Sequence, residues 1–316
     1  MTSFIIKIIA SICMLLDHFG TIFPAFGVSE IFRLIGRISL PIYAYMIAQG
    51  CRYTKNIDKY ILRLGVFAII SEIPYDLTFY NYLGNQFTVN YFNDTNVFYT
   101  LFLGASCITI YEKLKTKQHL WVASLLLLLT SMLEFIISGF EGINSRLFIS
   151  IILCIYLATM LGISKVMPER ENTSKNVVFY NILAFIPLLP ILNLANLLRT
   201  DYRMQGVVYI LLFYFIKPTN KIARSIVMTA IITYHYAYPY IYSKTGGFLL
   251  SPPPVRGMFY DSNLNNFFFA LLAVILIFIY NDKQGPKVKW IFYIFYPAHI
   301  AILGVIQFFL RDFSLK

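Results

Sequence analysis

The sequence predicts an all-α integral membrane protein, a polytopic helical bundle with about ten or eleven transmembrane helices. Of its 316 residues, 58% are hydrophobic and only 13% are charged, and the mean hydropathy is +0.67. These values exclude an ordinary soluble domain and are typical of helices embedded in a bilayer. The apolar runs continue for about twenty residues, which is the length of a membrane-spanning helix, whereas a β-barrel would require alternating segments of about ten.

A hydropathy window of about nineteen residues divides the chain into apolar segments separated by polar loops. The predicted spans are 4–23, 31–50, 61–79, 97–112, 119–138, 146–163, 177–197, 206–216, 225–243, 265–280 and 290–310. The short segment 206–216 is either a full crossing or a re-entrant half-span, and this choice separates ten helices from eleven. No loop is long enough for a soluble domain, so we expect one transmembrane domain over 1–316.

The net charge of +11 comes from Lys and Arg residues concentrated in every second loop. Loops 24–30, 80–96 and 139–145 contain none of them. The positive-inside rule explains this pattern if the chain is a multi-pass protein of the cell membrane with its N-terminus inside. Membrane lipids are then its surroundings, and the basic charge does not require a nucleic-acid partner. The four cysteines are Cys13, Cys51, Cys107 and Cys154. No two of them have the spacing of metal ligands or of a redox pair, so no metal is expected.

Ionisable residues lie inside several predicted spans, where a charge costs several kcal/mol and usually serves a functional site. Asp17 and His18 lie about 20 Å along the first span. Other ionisable residues of the apolar segments are Arg33, Arg37, Glu72, Asp76 and His299. Of these, Arg37, Glu72 and His299 lie at a similar depth. Four helices therefore place such groups in one layer, slightly toward the outer face. A shared cavity would accommodate these groups better than burial of each one alone.

Helical geometry predicts which of these groups meet. The two arginines are one turn apart and share a face, whereas the adjacent Asp17 and His18 point about 100° apart. We expect Asp17 to pair with one of the arginines, in either a structural or a functional pair. We expect His18 to face the cavity, with its tautomer set by Glu72 or Asp76. A neutral histidine in this position suits a general base for a hydroxyl or an amine.

Two classes of function are compatible with these buried groups: an enzyme and a proton-coupled transporter. The chain has no nucleophile elbow, glycine-rich phosphate loop or HExxH motif. It also has no internal repeat, which weighs against an inverted-repeat transporter. His119 and His235 are expected to be non-catalytic.

Two opening segments resemble the start of the TraX-like family. They are KIIASICMLLDH at 7–18 and RLIGRISLPIYAY at 33–45. The resemblance continues in the same order through 60–64, 68–76, 96–104, 201–206, 280–285 and 292–299. The family is named for the conjugal-pilus protein that N-acetylates pilin, and it resembles the wider membrane acyltransferases that use acyl-CoA.

The resemblance implies an acyltransferase that moves an acetyl or other short acyl group from cytosolic acyl-CoA, with acetyl-CoA as the expected donor. The acceptor would be a hydroxyl or amine of a surface glycan or peptide at the outer face. The predicted catalytic residues are His18, as the base, with Asp17, Glu72 and His299. The predicted substrate-binding residues are Arg33, Arg37, Asp76, Asn96, Asp201 and Tyr296. Four basic residues near the inner surface are expected to attract the phosphates of CoA: Arg52, Lys55, Lys59 and Arg63.

Overall fold

In the computed structural model the described residues are 1–79, 94–114, 185, 188–244, 264–286 and 288–314. They form helices joined by short turns and contain no β-strand beyond one isolated bridge between Thr95 and Thr200. Three helices have the length and composition to cross a membrane: Ser3–Ile22, Ser29–Tyr53 and Trp290–Leu310. The predicted all-α membrane fold is confirmed. The predicted spans 119–138 and 146–163, the first part of 177–197, and His119 lie outside the described residues.

The helices follow the predicted spans closely. In the first part of the chain they are α1 (Ser3–Ile22), α2 (Ser29–Gly36), α3 (Ser39–Tyr53), α4 (Ile57–Phe79) and α5 (Val97–Leu114). In the second part they are α6 (Leu188–Leu197), α7 (Arg203–Phe215), α8 (Lys221–Ile232), a π-helical turn (Thr233–Ala237), α9 (Tyr238–Lys244), α10 (Leu264–Ala270), α11 (Leu272–Phe278) and α12 (Lys289–Ser314). Apolar side chains are exposed on helix faces away from the core, including Ile69, Ile226 and Ile302. Lipid accommodates such faces, which water would not.

The second predicted span is interrupted between α2 and α3. Pro41 has no amide hydrogen, and its ring would clash with the carbonyl of Arg37 four residues earlier, so a regular helix cannot continue through this point. The Ser39 hydroxyl donates to the Gly36 carbonyl (2.9 Å), which helps to satisfy the end of α2. Arg33 lies in the last turn of α2 and Arg37 is the residue that ends it, so the two arginines project from the end of a short helix rather than from the middle of a regular one.

Several helix ends meet at one side of the bundle, which we call the basic side. The Ser3 amide at the start of α1 donates to the Lys283 carbonyl (2.8 Å). Arg52, near the end of α3, reaches the carbonyl of Ile216 after α7 (2.6 Å). Loops that the charge pattern assigns to the same membrane face thus contact one another.

The other side of the bundle, which we call the far side, contains the starts of α5 and α7. These two helices run parallel, because Gly206 packs near Thr100 at their starts and Tyr111 packs on Phe215 near their ends. The helix α7 therefore joins the far side to the basic side, although its 13 residues extend for only about 20 Å. It is not among the three described helices long enough to cross a membrane, so the choice between a full crossing and a half-span for 206–216 stays a prediction.

Candidate functional site

A small cavity of about 40 Å³ lies between α1, the α2–α3 turn, α5, α12 and the turn before α7. It can hold a water-sized group. Its lining is Met14, Asp17, His18, Gly36, Ser39, Leu40, Tyr43, Val97, Phe98, Leu101, Asp201, Tyr202, Phe292 and Tyr296. Four of the predicted site residues therefore share its wall: Asp17, His18, Asp201 and Tyr296. The prediction that several helices place polar groups around a shared cavity is confirmed.

His18 and His299 form a buried pair behind this wall. Nδ1 of His18 lies 2.7 Å from Nε2 of His299, and Nδ1 of His299 lies 2.7 Å from the carbonyl oxygen of Phe295. Only 4% of His18 and 5% of His299 are exposed. His18 lines the cavity and His299 does not, so His299 supports the ring of His18 from the side away from the cavity. The predicted partners of His18, which were acids on α4, are wrong.

Asp17, which lines the cavity, is paired with Arg37, which does not. Nη1 of Arg37 is 3.9 Å from Oδ1 of Asp17, so the predicted pair is confirmed as an ion pair. Nε of Arg37 donates to Oδ1 of the buried Asn266 on α10 (3.2 Å). The arginine is thus held between α1 and α10, with both contacts removed from water.

Asp201 and Tyr202 enter the cavity from a tightly braced turn. Arg199 and Arg203, on either side of them, have φ angles of 48°, a left-handed conformation that costs energy and often occurs at functional sites. The turn is held because the Thr95 amide donates to the Arg199 carbonyl (3.1 Å). The backbone strain thus serves to place an acid and a phenol at the far-side end of the cavity.

The charge surroundings of Asp201 are unusual for a turn residue. Burial raises the pKa of its carboxyl to about 8. The nearby carboxyls of Asp17 and Asp94 also raise this pKa, and Arg37 lowers it. One arginine thus lies close to two cavity carboxyls, and burial favours the protonated form of Asp201.

Glu72 and Asn96 form a second buried polar group, away from the cavity lining. The Asn96 side-chain amide donates to Oε2 of Glu72 and to the Ala68 carbonyl (2.8 Å). Oδ1 of Asn96 accepts from the Phe98 amide (3.0 Å) and so caps α5. Glu72, predicted to be catalytic, and Asn96, predicted to bind substrate, thus hold α4 against the start of α5 and do not line the cavity.

Asp76, on the next turn of α4, is 1% exposed. Neither of its carboxyl oxygens has a hydrogen bond to a described residue. It is not among the residues that line the cavity. The structure therefore does not bring this predicted substrate-binding residue to the cavity of His18.

The four basic residues predicted to attract CoA do not form one cluster. Arg52 donates to the carbonyl oxygens of Phe213 (3.2 Å), Tyr214 and Ile216 (2.6 Å). The last carbonyls of a helix lack partners within that helix, so Arg52 acts as a cap for α7 and is not free for a phosphate.

The other three differ in exposure and packing. Lys55 and Lys59 are exposed. The guanidinium of Arg63 lies 5.9 Å from the ring centres of both Tyr60 and Tyr293. These three remain at the basic side, and Arg63 lies nearest to α12, which carries His299.

Some site residues were not found from the sequence. Tyr202 lines the cavity. His235, in the π-helical turn, does not line the cavity; it contacts the Tyr209 hydroxyl through Nδ1 (3.0 Å), and its ring centre is 5.9 Å from that of Tyr202. Lys7 lies with its Nζ 5.6 Å from the ring centre of Phe292 at the other end of the cavity. Lys7 precedes His18 by eleven residues, which places both on one face of α1. This spacing could have identified Lys7 from the sequence.

Comparisons with known proteins agree with the resemblance seen in the sequence. The family profile described as "TraX protein" matches residues 3–168 and 151–307. A protein described as "Probable fimbrial assembly protein FimC, serogroup H1", from Dichelobacter nodosus, is 34% identical over 73 residues. The match covers 22% of this chain and 30% of that relative. No solved structure matches the chain. From its first to its last predicted span, this chain belongs to the TraX protein family.

Proposed function

We propose that this protein is an integral membrane acyltransferase of a pilus-related process. It moves a short acyl group, with acetyl as the expected one, from acyl-CoA at the basic side to a hydroxyl or amine at the far side. The membrane-spanning helices, the family and the fimbrial relative support the setting. The chemistry rests on the cavity of His18.

The single observation that carries the proposal is a buried histidine on the wall of a small cavity, hydrogen-bonded from behind by a second histidine. A base must lie within hydrogen-bond reach of the proton that it removes and must be held in one orientation. His18 meets the second requirement through His299, and its place on the cavity wall is suited to the first.

In the proposed transfer His18 is the only group that carries a proton, and each bond that forms is matched by one that breaks. The acceptor O–H or N–H gives its proton to His18 while its oxygen or nitrogen bonds to the thioester carbonyl carbon. The C–S bond then breaks, and His18 returns the proton to the sulfur. Tyr296 lines the same cavity, and its side chain is almost fully buried. It is suited to stabilise the negative charge that develops on the carbonyl oxygen.

One face of α1 offers a route for the donor. Lys7, Ser11, Met14 and His18 follow one another at intervals of four, three and four residues, so they share a helix face. Met14 and His18 line the cavity, and the Ser11 hydroxyl lies 2.7 Å from the hydroxyl of the lining residue Tyr43. A thioester arm that enters between α1 and α3 would reach His18 from the basic side, with its phosphates near Lys7.

The acceptor would approach from the far side, where Asp201 and Tyr202 lie. The name of the fimbrial relative favours a pilus-associated peptide or glycan among the acceptors. Mass spectrometry of pilus subunits, small secreted peptides and surface glycans from wild-type and deletion strains would identify the acceptor. Acetylation replaces a hydrogen by an acetyl group and adds about 42 mass units. We expect this added mass in the wild-type strain and its absence in the deletion strain.

The function itself is tested with purified protein in nanodiscs and radiolabelled acetyl-CoA, by following both CoA release and label transfer. His18→Ala should reduce turnover by about 10²–10⁴-fold, as expected for loss of a general base. His235→Ala is the matched control, since His235 is a half-buried histidine that does not line the cavity. More than half of wild-type turnover in His18→Ala would refute the proposed role.

The same preparation tests the transporter alternative. A transporter would neither bind acyl-CoA nor release CoA, and it would show proton-dependent uptake of a solute into proteoliposomes. If wild-type protein does not bind acyl-CoA and shows such uptake, the protein is a transporter and the proposed acyltransferase function is refuted.

A further inference from the structure

The contacts of His299 determine its tautomer. The carbonyl oxygen of Phe295 can only accept a hydrogen bond, so Nδ1 of His299, 2.7 Å away, must carry the hydrogen. A neutral imidazole has one N–H, and Nε2 of His299 is therefore an acceptor. This assignment needs no assumption about the second histidine.

The tautomer of His299 in turn determines the tautomer of His18. Its Nδ1 lies 2.7 Å from the acceptor Nε2 of His299, so it must be the donor. The ring planes differ by only 6°, with centres 5.0 Å apart. This is the arrangement of two coplanar rings joined nitrogen to nitrogen, which directs the N–H at the partner's lone pair. Nε2 of His18, on the opposite edge of the ring, is left with a free lone pair.

We propose that His299 is a positioning residue that fixes His18 in the tautomer with Nε2 as the base. The inference deepens the proposed function, because it names the nitrogen that takes the acceptor's proton and assigns His299 no contact with substrate. When Nε2 of His18 gains a proton, the bond from Nδ1 to His299 becomes charge-assisted and stronger. His299 thus stabilises the imidazolium that forms during transfer, as the third member of a triad does.

The competing interpretation is that His299 only fills space. Its ring stacks on Phe295, with centres 4.6 Å apart, and lies edge-on to Tyr296. A packing role predicts that any apolar side chain of similar size would serve. A positioning role requires an acceptor at the place of Nε2.

Two substitutions separate these roles. His299→Leu keeps an apolar side chain but removes the acceptor, whereas His299→Gln can place Oε1 where Nε2 was. We expect His299→Leu to lower kcat roughly 10–100-fold, by analogy with the loss seen when a metal-bound histidine loses the partner that orients its ring. The KM for acyl-CoA should change little. His299→Gln should recover most of the lost kcat. Equal activity of the two variants, or more than half of wild-type kcat in His299→Leu, would refute the proposal.

A spectroscopic measurement tests the tautomer without using activity. In ¹⁵N-histidine-labelled wild-type protein, His18 should show a protonated Nδ1 and an unprotonated Nε2, with signals assigned by comparison with His18→Gln. A protonated Nε2 in the neutral wild-type ring would overturn the inference. This result decides the inference even if a His299 variant does not fold, or if the protein transfers no acyl group.

Discussion

Nη1 of Arg37 lies 3.9 Å from Oδ1 of Asp17, and the residue before Arg37 is Gly36, which has no side chain. A Cβ atom on Gly36 would lie 2.6 Å from Oδ1 of Asp17, closer than non-bonded atoms tolerate. The glycine therefore allows the end of α2 to approach α1 closely enough for the ion pair. Arg37 also donates to Asn266, so the same contact connects α1, the α2–α3 turn and α10.

The ion pair should be energetically coupled. Asp17→Asn or Arg37→Gln alone should lower the free energy of unfolding by about 3–5 kcal/mol, because each leaves a buried charge without its partner. The double variant should lose less than the sum of the two. Thermal or denaturant unfolding in detergent measures the cycle. Additive losses would show that the two groups do not interact.

The close approach at Gly36 should be sensitive to a single methyl group. Gly36→Ala should lower stability by about 1–3 kcal/mol, as overpacking does in a filled interior. Gly27→Ala is the matched control, because a Cβ at Gly27 meets no atom within 4 Å. Comparable melting temperatures for Gly36→Ala and wild type would contradict the packing described.

Asp201 should make stability fall as pH rises. The folded carboxyl has its pKa raised to about 8, mainly by burial, whereas a free aspartate titrates near about 4. Between these values the folded state keeps a proton that the unfolded state releases. The free energy of unfolding therefore decreases with pH across this window and levels off above it. Asp201→Asn should weaken the decrease in melting temperature between about pH 5 and 8. An unchanged pH dependence, matching that of the exposed-site control Asp58→Asn, would contradict the prediction.

The orientation in the membrane is tested by cysteine labelling in a background without the native cysteines. Gly27→Cys lies in the loop between α1 and α2, and Lys55→Cys lies in the exposed turn between α3 and α4. With the N-terminus inside, an impermeant maleimide should label Gly27→Cys in intact cells and should label Lys55→Cys only after permeabilisation. The reverse pattern would invert the topology and the predicted sides of donor and acceptor.

Donor binding should depend on Lys7 more than on Arg52. Lys7→Met should raise the KM for acyl-CoA about tenfold, the effect of losing one hydrogen bond to a charged group. Lys7→Arg should retain most of the affinity. Arg52→Gln should instead lower stability, because it removes the cap of α7. Lys217→Met is the control for general charge at the basic side. An equal rise in KM for Lys7→Met and Lys217→Met would show that only net charge matters.

The sequence alone determined the all-α membrane fold, the bounds of most described helices and the depth of the buried charges. Long apolar runs determine these features, because bilayer thickness fixes span length and a charge in lipid requires a partner. It also identified Asp17 and His18 on the first span, Arg37 on the second and His299 on the last as members of one site, since these three spans place them at a similar depth.

Only the tertiary structure decided which of these groups touch. His18 meets His299 rather than an acid on α4, Glu72 binds Asn96, and Arg52 caps α7. Hydropathy gives the depth of a residue but not the rotation of its helix or the identity of the neighbouring helix. Those depend on side-chain packing between segments far apart in the chain, such as α1 with α12 and α3 with α7. A difference of one residue turns a side chain by about 100° and gives it another partner.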